Sequence, residues 1–339
     1  MIEHEIPGDA VAPAAEHVYR FGGFWNGIPA VKAEIFRRIS GDPELRQSSY
    51  FHRLVGGRRF ERGLFLACGN GRVEREFYEA GIVAAAVGID ISSELLEEAT
   101  ALGAGLPFAY HHMDMNQGVL PEGPFDLIVN VSAGHHVASV DRVFRAFAAR
   151  LPEDGYFYSY DYVGPHRFQY PWHQWEAIWE LNESLPEGAR QKLAYAHMPT
   201  MLKFDPTEAV HPELMLATHR RYFTMDAFRP SGGALAYHLL TFNEALDALP
   251  DAERAAVVET VMRADEAYLR AHPESTLFAF WFGRPRKDVL EQAELLASWE
   301  AEETAREAAA LRNGHRYYPI SLLESVMCDM EGTGVQRSR

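Results

Sequence analysis

The sequence predicts an α/β protein built on a doubly wound, mainly parallel β-sheet. An apolar run at 63–67 leads into a glycine-containing turn and then into a helical pattern. A second apolar run at 85–90 ends in the carboxylate of Asp90. Strand and helix patterns then alternate through residues 63–163. This alternation is typical of a parallel sheet with helices on both faces.

The individual elements follow from the same patterns. We expect strands near 63–67, 85–90, 107–112, 125–131 and 155–163, with helices near 71–80, 93–101 and 138–151 between them. The run at 125–131 is apolar almost throughout, as a strand buried on both faces requires. Further on, we expect strands at 234–240 and 276–283, separated by a helix at about 250–271. These two strands are predicted to form an antiparallel hairpin at the edge of the sheet.

Five segments are predicted along the chain. They are an N-terminal helical cap over the mouth of the ligand site (1–60), the ligand-binding core (61–163), a proline- and tryptophan-containing helical insert or lid (164–225), the last strands of the core (226–286) and a C-terminal helical extension (287–339). Within the extension, we expect one charged helix at 287–312. Such a helix packs either on a partner subunit, making a homo-oligomer, or on its own domain, and the sequence leaves both possibilities open.

Composition favours a globular enzyme. The chain has 339 residues, of which 47% are hydrophobic, so a large core can be buried. The net charge of −16 and the scattered basic residues disfavour nucleic acid as a partner. We find no apolar run long enough to span a membrane and no secretory signal pattern. Only two cysteines occur. A cytoplasmic protein without a disulfide framework is therefore expected.

The turn after the first strand is suited to a nucleoside ligand. Glycines allow the backbone to approach a ligand closely and to adopt positive φ. The helix that follows offers free N–H groups at its N-terminus. An acid at the position of Asp90 can accept hydrogen bonds from a ribose diol. The turn is not a Walker A loop, and it lacks the third glycine of the dinucleotide fingerprint.

Four stretches of the chain resemble class I S-adenosylmethionine-dependent methyltransferases. The run from Leu66 to Gly71 is similar to the glycine-rich first motif, and Asp90 matches the acid that holds the ribose hydroxyls. The segment 112–116 resembles the one whose acid, here Asp114, binds the adenine amine. The segment 125–130 resembles the fourth strand. The resemblance implies the seven-stranded Rossmann-like sheet of that family, over roughly residues 20–285.

Two positions depart from the family pattern. Phe65 replaces the usual acid at the end of the first strand, and Ala67 replaces the first glycine of the motif. Because the family acid helps to seat the methionine ammonium, another group must do so here.

The resemblance also implies the cofactor and its site. S-adenosylmethionine is the expected cofactor, held by Ala67, Cys68, Gly69, Asn70, Gly71, Asp90, Ile91, Asp114, Met115, Asn116, Asn130 and Val131. Residues 155–170 are similar to a bacterial subgroup that is often associated with sugar, polysaccharide or specialised-metabolite pathways. We therefore expect an O-methyltransferase acting on a hydroxyl of a small sugar-like or natural-product acceptor.

A hydroxyl acceptor calls for a general base close to the ends of the fourth and fifth strands, where doubly wound sheets bind ligands. The candidates are His135, His136, Asp161 and His166. Capping or packing is the alternative role for the two adjacent histidines. The alternatives for Asp161 are a salt bridge to Arg167 or a cap.

The candidate acceptor-binding residues all lie at or after the fifth strand: Tyr162, Arg167, Gln169, Trp172 and Trp175. Arg167 and Gln169 have bracing of the insert as an alternative role. The two tryptophans recur at helical spacing, so we expect them in the core of a helical insert, in the wall of the acceptor pocket, or in both.

No bound metal is expected, because carboxylates are not spaced as Mg²⁺ ligands require. Three alternatives to a hydroxyl acceptor stay open at this point. The first is a nitrogen or carbon acceptor, and the second is a nucleoside-binding protein without transfer activity. The third is a dehydrogenase, which would bind NAD at the same turn.

Overall fold

The computed structural model describes residues 23–117, 120–198, 201–202 and 205–312. Within these residues seven strands form one sheet in the order β3-β2-β1-β4-β5-β7-β6. The strands are β1 (Gly63–Leu66), β2 (Ala86–Asp90), β3 (Phe108–His112), β4 (Leu127–Val131), β5 (Tyr156–Tyr162), β6 (Ala227–Gly232) and β7 (Phe278–Gly283). This mixed sheet with flanking helices confirms the predicted fold class.

Strands β1 to β5 are parallel, and β7 runs antiparallel to both β5 and β6. The predicted antiparallel hairpin at the edge is therefore present. The central strands are buried along their length, as β1, β2 and most of β4 show. Burial on both faces is the physical reason for their continuous apolar sequences. Because the strands are parallel, their carboxyl ends, with Asp90, Val131 and Tyr162, share one edge of the sheet.

The helices cover both faces of the sheet. Their bounds are α1 (Pro29–Ser40), α2 (Gln47–Leu54), α3 (Arg72–Glu79), α4 (Ser93–Leu102), α5 (Val140–Arg150), α6 (Trp172–Ser184), α7 (Pro212–Tyr222), α8 (Ala236–Leu240), α9 (Glu244–Asp247), α10 (Asp251–Ala271), α11 (Lys287–Leu290) and α12 (Ala293–Arg312). None of the helices among the described residues has the length and apolar character needed to cross a membrane.

The described N-terminal helices lie along a face of the sheet. Trp25 packs against Phe278 of β7, with ring centroids 5.5 Å apart. Phe51 of α2 contacts Tyr158 of β5 and Phe282 of β7. The segment therefore buries aromatic side chains against β5 and β7. We expect the N-terminal segment to cover the mouth of the ligand site. Part of that segment, residues 16–22, lies outside the described residues.

One predicted strand is wrong. Residues 234–240 contain the short helix α8, and the sixth strand is Ala227–Gly232. This edge strand contains Pro230 and the exposed Arg229, and its pairing with β7 is irregular between Pro230 and Gly232. Proline is tolerated in sheets at edges and bulges. The apolar run that follows is buried as a helix, which periodicity cannot distinguish from a strand over so few residues.

The C-terminal helix packs on its own domain. The expected single helix at 287–312 is interrupted, giving α11 and α12. Glu303 of α12 accepts hydrogen bonds from the backbone N–H groups of Asp141 and Arg142, at 2.8 and 3.1 Å. Trp299 packs edge-to-face on Tyr222 of α7, with centroids 5.4 Å apart. A carboxylate at the N-terminus of α5 satisfies free N–H groups there. These contacts favour the own-domain alternative.

Candidate functional site

The turn after β1 has the backbone form expected of a ligand-binding loop. Ala67, Gly69 and Gly71 have φ values of +39°, +54° and +72°. Gly71 is the N-cap of α3, and its N–H group donates to the Cys68 carbonyl at 3.0 Å. Positive φ is accessible to glycine without a steric penalty. The turn brings the N-terminus of α3 to the carboxyl edge of the sheet.

Asp90 connects this turn to the end of β2. Its Oδ2 accepts the Gly69 N–H at 2.8 Å, and its Oδ1 accepts the Ser92 N–H at 2.8 Å. Burial raises the pKa of Asp90 above its ordinary value, although these two N–H groups oppose the rise. The charge of His136 also acts on Asp90, so the turn and the histidine pair share one edge of the sheet. Each carboxylate oxygen can accept a further hydrogen bond, as ribose hydroxyls require.

The segment after β3 lies beside this edge. Asp114 Oδ1 accepts the N–H of Asn116 at 2.9 Å, and Met115 is buried. The Asn116 amide is committed to the protein, because it accepts from Ala138 N–H at 2.7 Å and donates to the His136 carbonyl at 3.1 Å. Asn116 thus fixes the segment after β4 rather than presenting a free amide to a ligand.

Three other predicted cofactor residues have protein partners. The Ile91 carbonyl lies 2.8 Å from His112 Nε2, and the amide of Asn70 donates to Glu98 Oε1 at 3.0 Å. Asn130, fully buried on β4, accepts the Gly134 N–H at 2.7 Å. Val131, which ends β4, is half-buried.

A buried histidine–carboxylate pair follows β4 and β5. His135 Nδ1 lies 2.6 Å from Asp161 Oδ1. Asp161 Oδ2 accepts hydrogen bonds from the Asn130 amide at 2.9 Å and from the Gly134 N–H at 2.7 Å. Asp161 is inaccessible to solvent. Burial would raise the pKa of Asp161, but His135 and these donors hold it below its ordinary value. An Asp161 so engaged orients the imidazole, and no salt bridge to Arg167 forms.

The insert supplies further acidic groups to the histidine pair. His135 Nε2 lies 3.6 Å from Glu208 Oε1, and His136 Nε2 lies 3.9 Å from Glu208 Oε2. His136 Nδ1 is 3.1 Å from Thr207 Oγ1 and 4.0 Å from Asp205 Oδ1. Burial disfavours the charged form of His135, but the charges of Asp161 and Glu208 outweigh this and raise its pKa to about 9.

Asp205, Thr207 and Glu208 are absent from the sequence-based predictions. They lie in a proline-containing segment without periodicity, about 70 residues after the histidines. Only the folding of the insert over the edge of the sheet brings them to His135 and His136.

His166 belongs to a different group. Its Nδ1 lies 2.5 Å from the Val210 carbonyl, and its ring stacks on His211 with centroids 5.4 Å apart. Burial lowers the pKa of His166 to about 4. The ring is therefore neutral near pH 7, and it lies beside His211 and Glu213 rather than beside Asp161.

Arg167 and Gln169 brace the insert. Arg167 is fully buried, and its guanidinium donates to the carbonyls of Pro206 at 2.6 Å and Glu208 at 2.9 Å. Gln169 Nε2 donates to the Arg167 carbonyl at 3.0 Å. Of the two roles that the sequence leaves open for Arg167 and Gln169, these contacts support bracing of the insert. Arg167 fixes the segment that carries Glu208.

The aromatic acceptor candidates differ in their surroundings. The Tyr162 hydroxyl is buried and donates to the Pro165 carbonyl at 3.1 Å. Trp175 is buried against Tyr195, with centroids 5.1 Å apart. Trp172, by contrast, is 46% exposed. Trp175 therefore belongs to the core of the insert.

Among the residues that the structure describes, two groups of side chains have atoms close enough for a shared metal ion. They are His135–His136–Glu208 and His166–His211–Glu213, in each of which the possible ligand atoms lie within 4.8 Å of one another. In the first group, His135 and His136 are also bound at Nδ1 by Asp161 and Thr207. The sequence-based expectation of no metal stays a prediction.

The residues at the turn fit S-adenosylmethionine. The turn has positive-φ residues at the N-terminus of α3, the Asp90 carboxylate ends β2 beside it, and Glu74 places a buried carboxyl group with no cationic partner beneath the turn. An unpaired buried carboxylate is costly in an empty protein and is satisfied by a cationic ligand.

Comparison with known proteins agrees with this fit. A family model described as a methyltransferase domain matches residues 64–159, which include the turn, Asp90, Asp114 and the histidine pair. No curated protein sequence matches the chain.

Several solved structures with similarity to the chain are described as methyltransferases. An S-adenosylmethionine-dependent methyltransferase of Mesorhizobium loti is 18% identical, with a TM-score of 0.41, over 70% of this chain and 97% of that one. The StiE O-MT fragment 942–1257 is 15% identical, with a TM-score of 0.42, over 83% and 89%. The N-methyltransferase NodS of Bradyrhizobium japonicum WM9, in complex with S-adenosyl-L-homocysteine, is 12% identical, with a TM-score of 0.33, over 45% and 73%.

These identities and TM-scores are too low to bear on the function. The assignment depends instead on the family model and on the motifs that it spans. The glycine turn after β1, the acid that ends β2 and the strand order of the sheet all occur in the expected arrangement. The family model over residues 64–159 and these motifs support a class I S-adenosylmethionine-dependent methyltransferase domain in that part of the chain, with S-adenosylmethionine as its cofactor.

Proposed function

We propose that the protein methylates a hydroxyl group of a small, polar, sugar-like or specialised-metabolite acceptor, with His135 as the general base. The observation that carries this proposal is the contact of 2.6 Å between His135 Nδ1 and the buried Asp161 carboxylate. A hydroxyl has a high pKa, and a positioned base accelerates its reaction by about 10²–10⁴-fold. An imidazole oriented by a buried carboxylate is the usual form of such a base.

When bound, S-adenosylmethionine supplies an electrophilic methyl carbon, so that the new O–C bond forms as the S–C bond breaks and its electron pair stays on sulfur. His135 donates its Nδ1–H to Asp161, which leaves Nε2 to accept the hydroxyl proton. Glu208, 3.6 Å from Nε2, stabilises the imidazolium that results. His136, Asp205 and Glu208 offer polar atoms to an acceptor rich in hydroxyl groups.

An amine acceptor is the second candidate, and one observation favours it. Asp161, Asp205 and Glu208 surround the histidine pair, and their combined negative charge attracts an amine, which exchanges between its ammonium and neutral forms, as well as a polyol. The neutral form, which has lost its proton to solvent, carries the lone pair that attacks the methyl carbon, so substitution of His135 would scarcely slow its methylation. Substitution of His135 therefore discriminates between the two acceptor classes.

The first experiment establishes the cofactor in solution. We would titrate the wild type and Asp90→Ala with S-adenosylmethionine, S-adenosylhomocysteine and NAD in a calorimeter. Micromolar binding of both adenosyl ligands, lost in Asp90→Ala and absent for NAD, is the expected result. Binding of NAD in place of the adenosyl ligands would favour the dehydrogenase alternative.

The second experiment addresses the acceptor. Transfer of a labelled methyl group is measured against panels of hydroxylated glycosides and of amines. We expect products among the hydroxylated compounds, with a loss of at least tenfold in His135→Ala. Transfer to amines only, unaffected by His135→Ala, would contradict the proposal.

Two further expectations stay proposals. We propose a cytoplasmic enzyme, with neither nucleic acid nor membrane as a partner. The second proposal is a homo-oligomer formed through the C-terminal extension. Measurement of the molecular mass in solution tests it. The inner face of α12 is already occupied by α5 and α7, so an oligomer would use its outer face or residues outside the described part.

A further inference from the structure

Glu74 places a carboxylate beneath the cofactor turn. It lies in the first turn of α3, three residues after Gly71. Its side chain is inaccessible to solvent, and among the described residues no cation pairs with its carboxylate, whose one side-chain donor is the weakly donating Cys68 thiol. Buried ionised carboxylates are almost always paired, because an unpaired one is costly. A buried carboxyl group without a cationic partner indicates that the partner arrives with a ligand.

The carboxylate of Glu74 lies on the same face of the sheet as the side chain of Phe65. Phe65 on β1 pairs with Gly88 on β2 in the parallel register, so side chains at both positions point to the same face. A Cβ atom at Gly88 would lie 2.6 Å from Glu74 Oε1 and 2.7 Å from Cys68 Sγ. Gly88 therefore leaves the space that the Glu74 carboxylate occupies.

Phe65 itself is directed into the core. It is buried and packs edge-to-face on Phe77 of α3, with centroids 5.4 Å apart. The strand position at which the related methyltransferases carry an acid thus contributes only packing here. Glu74, from the first turn of the neighbouring helix α3, places its carboxyl group on the same face of the sheet.

We propose that Glu74 balances the positive charge at the methionine end of S-adenosylmethionine, and that binding of the cofactor ionises it. Glu74 would thereby perform the function that the related methyltransferases assign to an acid at the position of Phe65. This inference rests on S-adenosylmethionine being the ligand of the turn. It adds the residue that holds the cationic end and couples cofactor binding to release of a proton.

The charged and titratable groups around Glu74 support this coupling. They are Cys68 at the end of β1, Asp90 at the end of β2, Tyr110 on β3 and Arg75 on α3. Burial raises the pKa of Glu74 to about 8, although its own backbone N–H, the Cys68 thiol and the Arg75 charge oppose the rise, and the Asp90 charge adds to it. In the empty protein near pH 7, Glu74 is therefore mostly protonated. A cationic ligand lowers its pKa, and the proton is released to solvent.

The test compares Glu74→Gln with wild type for three ligands. Two of them, S-adenosylmethionine and S-adenosylhomocysteine, carry the amino-acid end, whereas 5′-methylthioadenosine lacks it. We expect Glu74→Gln to weaken the first two by at least tenfold and the third by less than twofold. Glu79→Gln, at an exposed position on the same helix, is the matched control and is expected to bind all three like the wild type.

A second readout measures proton release in the wild type, with Glu74→Gln for comparison. The calorimetric enthalpy of S-adenosylmethionine binding at pH 7 is measured in buffers with different ionisation enthalpies. A proton release of more than half a proton per site, absent in Glu74→Gln, is expected. The wild-type measurement does not depend on the variant being folded, and binding without proton release in the wild type would overturn the proposal.

The pattern of ligand affinities in Glu74→Gln separates the proposed charge role from a packing role. Equal weakening of 5′-methylthioadenosine in Glu74→Gln would indicate a packing role instead. If the wild type binds no adenosyl ligand at all, the proposed function fails. If the wild type binds these ligands and Glu74→Gln binds them with the same affinity, only this inference fails.

Discussion

The Nδ1 atom of His135 lies 2.6 Å from Oδ1 of Asp161, and the Asp161 carboxylate has no contact with solvent. Two segments that are distant in sequence meet in this pair, one after β4 and one at the end of β5. Asp161 also accepts hydrogen bonds from the N–H groups of Gly134 and Tyr162, as an ionised carboxylate does. In the hydrogen bond between the two side chains, His135 is therefore the donor and Asp161 the acceptor.

His135→Ala is predicted to lower the rate of methyl transfer by about 10²-fold or more, because the general base is lost. Asp161→Asn is predicted to cause a similar loss, since an amide can donate to Nδ1 and stabilise the wrong tautomer. Cofactor affinity should change by less than about twofold in His135→Ala, as measured by titration. A rate unchanged in His135→Ala would exclude it as the base.

The pH dependence of transfer should show an essential group that must be deprotonated. The pKa of His135 is raised to about 9, so the base form is scarce at pH 7 and grows as the pH rises. We expect kcat to increase with pH toward that value at roughly tenfold per pH unit. In Glu208→Gln the midpoint should move to lower pH, because one of the negative charges that raise this pKa is removed. A profile that falls above pH 7 would contradict this assignment.

Arg167→Gln is predicted to loosen the segment that carries Glu208. The buried guanidinium donates to the carbonyls of Pro206 and Glu208, and hydrogen bonds to charged groups contribute about 1.5–3 kcal/mol each. We expect a loss of about 2–4 kcal/mol in the free energy of unfolding, together with faster proteolysis within 190–210. Arg270→Gln, on an exposed surface, serves as the control. Unchanged proteolysis would contradict a bracing role.

The empty protein is predicted to lose stability between pH 7 and pH 8.5. Glu74 has an ordinary pKa of 4.5 that is raised to about 8 in the folded state, and His135 has one of 6.5 that is raised to about 9. A group with a raised folded pKa contributes stability that is complete below its unfolded pKa and is lost as the pH rises through the folded pKa. Thermal unfolding should show a falling Tm, less steeply in Glu74→Gln. A Tm that rises over this range would contradict both assignments.

Chelation should leave methyl transfer unaffected. The proposed reaction needs a base and a positioned cofactor, and nothing in it requires a metal ion. Activity after dialysis against EDTA is therefore expected to stay within about twofold of the untreated enzyme. If activity is lost and a divalent ion restores it, the His135–His136–Glu208 group would be a metal site, and metal content measured in His136→Ala would confirm its position.

The sequence determined much of the central sheet by itself. Strands β1 to β5 and the helices between them agree with the predicted ranges to within two or three residues at each end. Burial on both faces forces continuous apolar strands, and the positive φ values of Gly69 and Gly71 favour glycine in the turn after β1, so a short stretch of sequence predicts both features. The sequence pattern does not locate the edge strand β6, because Pro230 and Arg229 interrupt any apolar run there.

Only the tertiary structure decided which side chains meet. Asp205 and Glu208 approach His135 and His136 through a segment without periodicity, held by Arg167. Glu74 reaches the region beside Phe65 because Gly88 leaves space for it, a relation set by the register of β1 and β2. Local patterns record the burial of each segment and the conformation of each turn. Contacts between distant segments depend on how the packed elements cross one another, and no single stretch of sequence contains that information.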